Sequence, residues 1–351
     1  MTDSISINAW LSGSLALISC SSAFILSLQR AYLHKSQQTD LAPLCFDKKR
    51  DTSVPVADDD NRLTRLTFGT LTLTLLSALD FYSIVVIQRS SDWFITASAC
   101  ARFIAWLYAS VLVLVARRHR FPSEWGWIIN VHLCIFYTMI WCIAVYDLYD
   151  AYVLNPSDNW VHMLPNLLAL IFGTDLVYTT ATTPRGAPFV DENGRKVAAI
   201  DVASIYSFLY FSWITPMIHL AYKNKKLSDD DLPTLPPLFR GHNLYYLFGA
   251  TRGNSLLKRI YLTNKKAIII QVVLALVTSL AYYAPAYFVN RLLTLIQNMD
   301  GIEDDVSIRR GFVIVASLGA TILVLGLLVG QLWYYGKLIC LLRTAFMQMV
   351  K

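Results

Sequence analysis

The sequence predicts an all-α, polytopic membrane protein, and two observations carry that expectation. Hydrophobic residues make up 55% of the 351-residue chain and charged residues only 15%, whereas a soluble domain carries about 25% charged residues. The charges are also bunched: Lys, Arg, Asp and Glu collect in short clusters between long apolar runs. A helix needs about 20 apolar residues to cross the hydrocarbon core. Runs of that kind occur at roughly 7–28, 66–87, 94–116, 125–146, 160–180, 267–288 and 311–335. Helices are the expected form because a backbone in lipid must satisfy its own hydrogen bonds. Trp93, Trp125, Trp127, Trp160, Tyr334 and Tyr335 stand near the ends of these runs, where amphipathic rings favour the headgroup level.

The first run, 7–28, has no basic segment before it and no small-residue cleavage pattern after it, so it reads as a retained span. Basic residues orient the rest. The loop 29–65 contains Arg30, Lys35, Lys48, Lys49, Arg50, Arg62 and Arg65, and the segment 181–266 contains twelve Lys and Arg. The loop after the third run carries Arg117, Arg118 and Arg120, while the loop after the fourth has only acidic charges, among them Asp147, Asp150 and Asp158. Basic loops stay in the cytoplasm. The amino terminus is therefore expected outside or lumenal, and the carboxy terminus in the cytoplasm. The loop 289–310 fits this less well, because Arg291, Arg309 and Arg310 would lie outside, offset by Asp300, Glu303, Asp304 and Asp305. The net charge of +6 follows from this bias, and no nucleic-acid partner is expected. Six cysteines without a CxxC pair predict neither a metal site nor a disulfide framework.

The spacing divides the chain into a five-span domain at 1–180, a cytoplasmic linker at 181–266, and two further spans within 267–351. Inside the linker, Ala203–Tyr222 is long and apolar enough to cross, but Arg195 and Lys196 flank one side and Lys223, Lys225 and Lys226 the other. Crossing would carry one basic cluster outside, and Pro216 would interrupt a crossing helix. The segment near 202–222 is therefore expected to lie in the interface, its aromatics buried and its Ser and Thr outward. The following Leu227–Pro237 reads as an extended acidic loop.

Within that segment Phe208, Phe211, Ser212, Trp213, Pro216, Ala221, Tyr222, Lys223, Asp231, Leu232, Leu235 and Pro236 stand in fixed order. This run resembles the junction of the multidrug-resistance-associated (C) subfamily of ABC transporters, and its wording is similar to that of fungal members. The resemblance implies a five-helix amino-terminal transmembrane domain, a lasso linker with an interfacial elbow helix, and the first two helices of a type 1 ABC exporter core. Tyr334–Lys351 would then be the cytoplasmic extension of the second core helix. A family member exports organic or xenobiotic compounds using ATP and Mg, from a vacuolar or plasma membrane. ATP and Mg are expected only for the full-length transporter. Gly330, Gly336 and Lys337 imitate a phosphate-binding loop, but five residues intervene where four are needed and Leu338 replaces the hydroxyl. The chain by itself is expected to bind no cofactor and to hydrolyse no ATP. The expected partners are the lipid bilayer, the missing remainder of the transporter and a small organic substrate.

Three groups of side chains stand out. Asp80 and Arg102 lie at similar depth in adjacent spans, and intramembrane charges are normally paired, so an ion pair between them is expected. Asp175, His132 and His162 read as snorkelling or packing residues. Tyr282, Tyr283 and Tyr287 surround the Ala284–Pro285 step and could line a pathway for aromatic substrates, although helix packing with Pro285 as a kink explains them equally well. The family places basic residues two to three turns before that step, where this chain has Leu274 and Val277, a departure that argues against anionic conjugates as cargo. Two other classes compete with the exporter: a stand-alone five-span adaptor, and a seven-helix receptor. The receptor reading is weakened by the long cytoplasmic segment and by the lack of Asn-Pro-x-x-Tyr in the last span.

Overall fold

The computed structural model describes residues 19–29, 59–87, 93–119, 124–149, 160–186, 197–225, 228, 232–234, 248–249, 251, 255–297 and 305–349. Among these the structure is all-helical, with no strand beyond isolated bridge residues. Two compact units partition the chain, the first running to Asp230 apart from residues 44–47, and the second from Asp231 onward.

The first unit is a helical bundle. A helix over residues 19–29 (α1) is followed by α2 (Asp59–Tyr82), which ends in a π-turn at Ser83–Ile87, then α3 (Trp93–His119), α4 (Glu124–Tyr149) and α5 (Trp160–Thr182). The core is shared by all five helices. Leu26, Leu66, Leu73, Trp106, Val113, Ile129, Leu133, Phe136, Tyr137 and Leu176 form one buried cluster. Small side chains let the backbones approach: Ala105 and Ala109 are fully buried, the small-xxx-small spacing of membrane helix interfaces. Gly69 serves the same end between α2 and α5, since a Cβ there would come within 3.0 Å of Leu176 Cδ2.

The outer faces of the bundle are as apolar as the inner ones. On α2 the exposed stripe is Phe68, Leu71, Leu75 and Leu79, whereas the buried stripe includes the hydroxyls of Thr67 and Thr70. Leucine outside and threonine inside is costly in water and favourable in lipid. Each buried hydroxyl first satisfies itself within its own helix, as Thr67 donates to Leu63 O at 2.6 Å and Thr70 to Leu66 O at 2.6 Å.

The second unit contains α8 (Leu256–Ala281), α9 (Tyr283–Gln297) and α10 (Asp305–Met349). Ser255 caps α8 by accepting from Lys258 N at 3.3 Å. The α8–α9 axis breaks at Tyr282, and the cause is Pro285. A proline lacks the N–H that would bond to the carbonyl four residues back, and its ring crowds that carbonyl; here that residue is Ala281, the last of α8. Antiparallel α8 and α10 meet at a polar seam. Thr278 and Gln331 are buried, and Gly336 sits so close that a Cβ would lie 3.3 Å from Gln271 Nε2. Elsewhere these helices expose apolar side chains all round, including Leu276, Leu280, Phe312, Leu323 and Trp333.

Among the described residues, five helical stretches are long and apolar enough to cross a membrane: Asn61–Val86, Ile95–Arg118, Gly126–Tyr149, Ala267–Gln297 and Ile308–Lys337. They coincide with five of the seven expected spans. For the span expected at 160–180 the structure gives α5, with a shorter apolar stretch over Leu167–Thr182. Most of the span expected at 7–28 lies outside the described residues.

Candidate functional site: the broken elbow and the polar interior

The elbow segment is not one helix. It starts beside the end of α5, where Arg185 N donates to Val202 O at 3.1 Å. Ser204 then caps a short helix, α6 (Ile205–Leu209), by accepting from Ser207 N at 3.1 Å. The chain turns at Phe211, whose backbone is left-handed with φ of 57°, passes through a 3₁₀ turn at Ser212–Ile214 and resumes as α7 (Thr215–Asn224). Pro216 therefore does not interrupt a helix. It stands in the first turn of α7, where its missing N–H costs nothing. Ser212 Oγ donates to Ser207 Oγ at 3.0 Å across the bend, and α6 packs on α5.

Of the junction residues, Phe208, Phe211, Ser212 and Trp213 are half-buried around this bend, while Pro216, Tyr222 and Lys223 are exposed. Trp213 Nε1 is buried with no hydrogen-bond partner among the described residues. Aromatic exposure runs along the segment: Tyr206, Leu209, Tyr210, Ile218 and Tyr222 are all exposed, and the rings of Tyr206 and Tyr210 lie 4.6 Å apart. Leu232 is exposed. Asp231, Leu235 and Pro236 lie outside the described residues.

The expected pair of Asp80 and Arg102 is replaced by another. Arg102 Nη1 lies 3.7 Å from Asp147 Oδ2, on α4, with the Asp147 side chain only 11% exposed. Asp80 is exposed. The reason is azimuth rather than depth. On α2 it is Phe81 that faces α3, stacking on Phe103 at 6.0 Å with 7° between ring planes. Asp80, one residue and about 100° away, turns outward. Arg102 points back toward the start of α3, the end where antiparallel α4 brings Asp147, two residues before its last.

Neutral hydrogen bonds stitch the rest of the interior. Thr70 Oγ1 and the fully buried Tyr137 hydroxyl are 2.6 Å apart, and Thr74 Oγ1 and Ser110 Oγ 2.7 Å apart. Asn130 Nδ2 donates to Thr180 O at 3.0 Å, and on the exposed side of α4 and α5 Trp141 Nε1 donates to Thr174 Oγ1 at 2.9 Å. His132 Nδ1 is 2.7 Å from Ser22 Oγ, which accepts from the Tyr108 hydroxyl at 3.0 Å, so one hydroxyl joins α1, α3 and α4. Reading residues one at a time missed these pairings; the signal was present in the recurrent Thr of 64–74. Asp175 is exposed, and the side chain of His162 lies outside the described residues.

In the second unit Tyr282, Tyr283 and Tyr287 are 58%, 76% and 55% exposed. Tyr287 is engaged locally, since Arg291 Nε donates to its hydroxyl at 3.2 Å and the guanidinium lies 5.4 Å from its ring centre. Among the described residues no group of His, Cys, Asp or Glu is placed to hold a metal ion, and Cys20, Cys100, Cys134 and Cys142 are free thiols.

Helices apolar on their outer faces, hydroxyls turned inward and an ion pair inside the bundle define an integral, multi-pass, all-α membrane protein. No protein-family model matches the chain, and no curated protein matches it.

Proposed function

We propose that this chain is the amino-terminal portion of an ATP-driven exporter of organic or xenobiotic compounds, of the multidrug-resistance-associated type. In this reading, residues 1–180 form a targeting and regulatory transmembrane domain, 181–266 the lasso linker, and 267–351 the start of the translocation core. The amino terminus is outside or lumenal, the carboxy terminus cytoplasmic, and the membrane vacuolar or plasma. The observation that carries the reading is the junction run from Phe208 to Pro236, together with the bend at Phe211, after which Pro216 opens α7. The apolar girth of α8–α10 adds support, because helices exposed on nearly every side suit a core whose remaining spans pack around them. Tyr282, Tyr283 and Tyr287 then face a substrate pathway, and the Leu274 and Val277 positions favour neutral or aromatic cargo.

The test is the reading frame beyond Lys351. A transcript that continues into four further spans and a Gly-x4-Gly-Lys-Ser/Thr loop supports the exporter. A stop codon directly after Lys351 removes it, leaving the stand-alone adaptor, which the self-contained core of the first unit favours.

A further inference from the structure

The end of the first unit where α2 and α4 begin and α3 and α5 finish gathers exposed basic residues. Arg62 Nη1 donates to Thr182 O at 3.2 Å, and Asn130 Nδ2 to Thr180 O at 3.0 Å, so the starts of α2 and α4 both sit against the finish of α5. Arg65, Arg117, Arg118 and Arg185 are exposed at this end. The broken elbow departs from it through the Arg185–Val202 backbone bond and adds exposed Lys223 and Lys225. None of these six cations is paired with a carboxylate among the described residues. Acidic residues lie here too: Asp59, Asp60 and Glu124 begin α2 and α4, exposed Asp175 lies two turns from the finish of α5, and Asp201 precedes Val202. The opposite end offers Asp80, Asp147 and the already paired Arg102.

On the segment that carries Lys223 and Lys225 the elbow exposes Tyr206, Tyr210, Ile218 and Tyr222, the last at 85%. Exposed cations next to exposed aromatic and aliphatic side chains, on a bundle that crosses the bilayer, match one chemistry: a phosphate-bearing headgroup above acyl chains. We propose that this end of the first unit, with the elbow, is a binding surface for anionic phospholipid. Arg65, Arg117, Arg118, Lys223 and Lys225 engage headgroup phosphate and carboxylate, and Tyr206, Tyr210, Ile218 and Tyr222 enter the top of the acyl layer. The inference rests on the membrane placement of the bundle and stands whether or not the chain belongs to an exporter.

The full chain in neutral detergent micelles, titrated with phosphatidylserine or phosphatidylcholine and read by native mass spectrometry, tests it. At low salt about tenfold greater retention of phosphatidylserine is expected, falling toward parity in about 0.5 M salt. The variant R117Q/R118Q/K223Q/K225Q is expected to lose at least about tenfold in phosphatidylserine retention while keeping its phosphatidylcholine retention. Y210S/I218S should weaken both lipids alike. Parity in the unaltered chain, a preference indifferent to salt, or a preference surviving the fourfold substitution overturns the proposal. Displacement of phosphatidylserine by inorganic phosphate at matched ionic strength overturns it too, because the surface would then be a phosphate site. The salt series uses the unaltered chain, so it decides the matter even where a variant fails to fold.

Discussion

Replacing Asp147 by Asn separates the two ways of pairing Arg102. The carboxylate lies 3.7 Å from the guanidinium and its side chain is 11% exposed, while that of Arg102 is 31% exposed. Breaking a fully buried pair by removing one partner costs about 3–5 kcal/mol, and an exposed pair is worth under about 1 kcal/mol. The intermediate exposure here places the D147N cost at about 2 kcal/mol. At about 2–4 °C per kcal/mol for a unit of this size, the melting transition of the first unit should fall by about 4–8 °C. Asp80→Asn, at an exposed position, should stay within about 0.5 kcal/mol. The double variant R102M/D147L removes both charges and should recover most of the loss, since two apolar side chains leave no orphaned ion. Thermal stability followed by fluorescence-detected size exclusion in detergent measures all three. The reasoning fails if D80N costs as much as D147N, or if D147N and R102M add without coupling.

Four further substitutions probe the first unit. Gly69→Leu drives a branched side chain into Leu176, already 3.0 Å from a virtual Cβ; overpacking of this kind costs about 1–3 kcal/mol, and the same melting assay should show it. Tyr137→Phe leaves Thr70 still bonded to Leu66 O, so it should cost about 0.6 kcal/mol, the mean for a hydrogen bond between membrane helices. Tyr137→Ala empties a site in contact with Trp106 and Phe136 and should cost about 3–5 kcal/mol; equal losses for Phe and Ala would contradict the assignment. Phe211→Val places a β-branched residue at φ of 57°, where left-handed backbone costs L-residues about 1–2 kcal/mol and branched ones most. Trypsin cleavage after Lys223 and Lys225 should accelerate in that variant, and an unchanged rate would show that the bend does not depend on Phe211.

What the sequence made legible follows from what varies along the chain rather than around a helix. Run length located the long apolar helices, because hydropathy is a one-dimensional property and lipid demands about 20 residues of it. Depth is also one-dimensional, and the chain neighbours of Asp80 and Arg102, Phe81 and Phe103, stack on each other. The azimuths of Asp80 and Arg102 were not legible, because the threonines of α2 stand on more than one face, Thr70 buried and the Thr72 hydroxyl bond exposed, and so mark no single inward side. The elbow shows a different limit. Pro216 was the visible breaker, yet the break falls at Phe211, a residue type that gives no signal for left-handed backbone. Pro285 behaved as its chemistry requires, displacing the break four residues upstream to Ala281. The hydroxyl ladder of α2 was present in the recurrent threonines, but which of them reach another helix depends on packing partners distant in sequence, as Thr70 and Tyr137 show.

The length of α10 has a mechanical consequence. Its 45 continuous residues amount to about 68 Å of helix, more than twice the roughly 30 Å of a hydrocarbon core. The apolar stretch Ile308–Lys337 accounts for the part in lipid, and the remainder up to Met349 continues as one rod. Measured from the middle of that stretch, Met349 lies about 40 Å along the axis. A rocking of 10° in the bilayer would therefore sweep that tip sideways by about 7 Å, at the same helical rise, without breaking a single backbone hydrogen bond. The helix is a lever, and small changes in how α8 and α9 lean against it become large displacements outside the membrane.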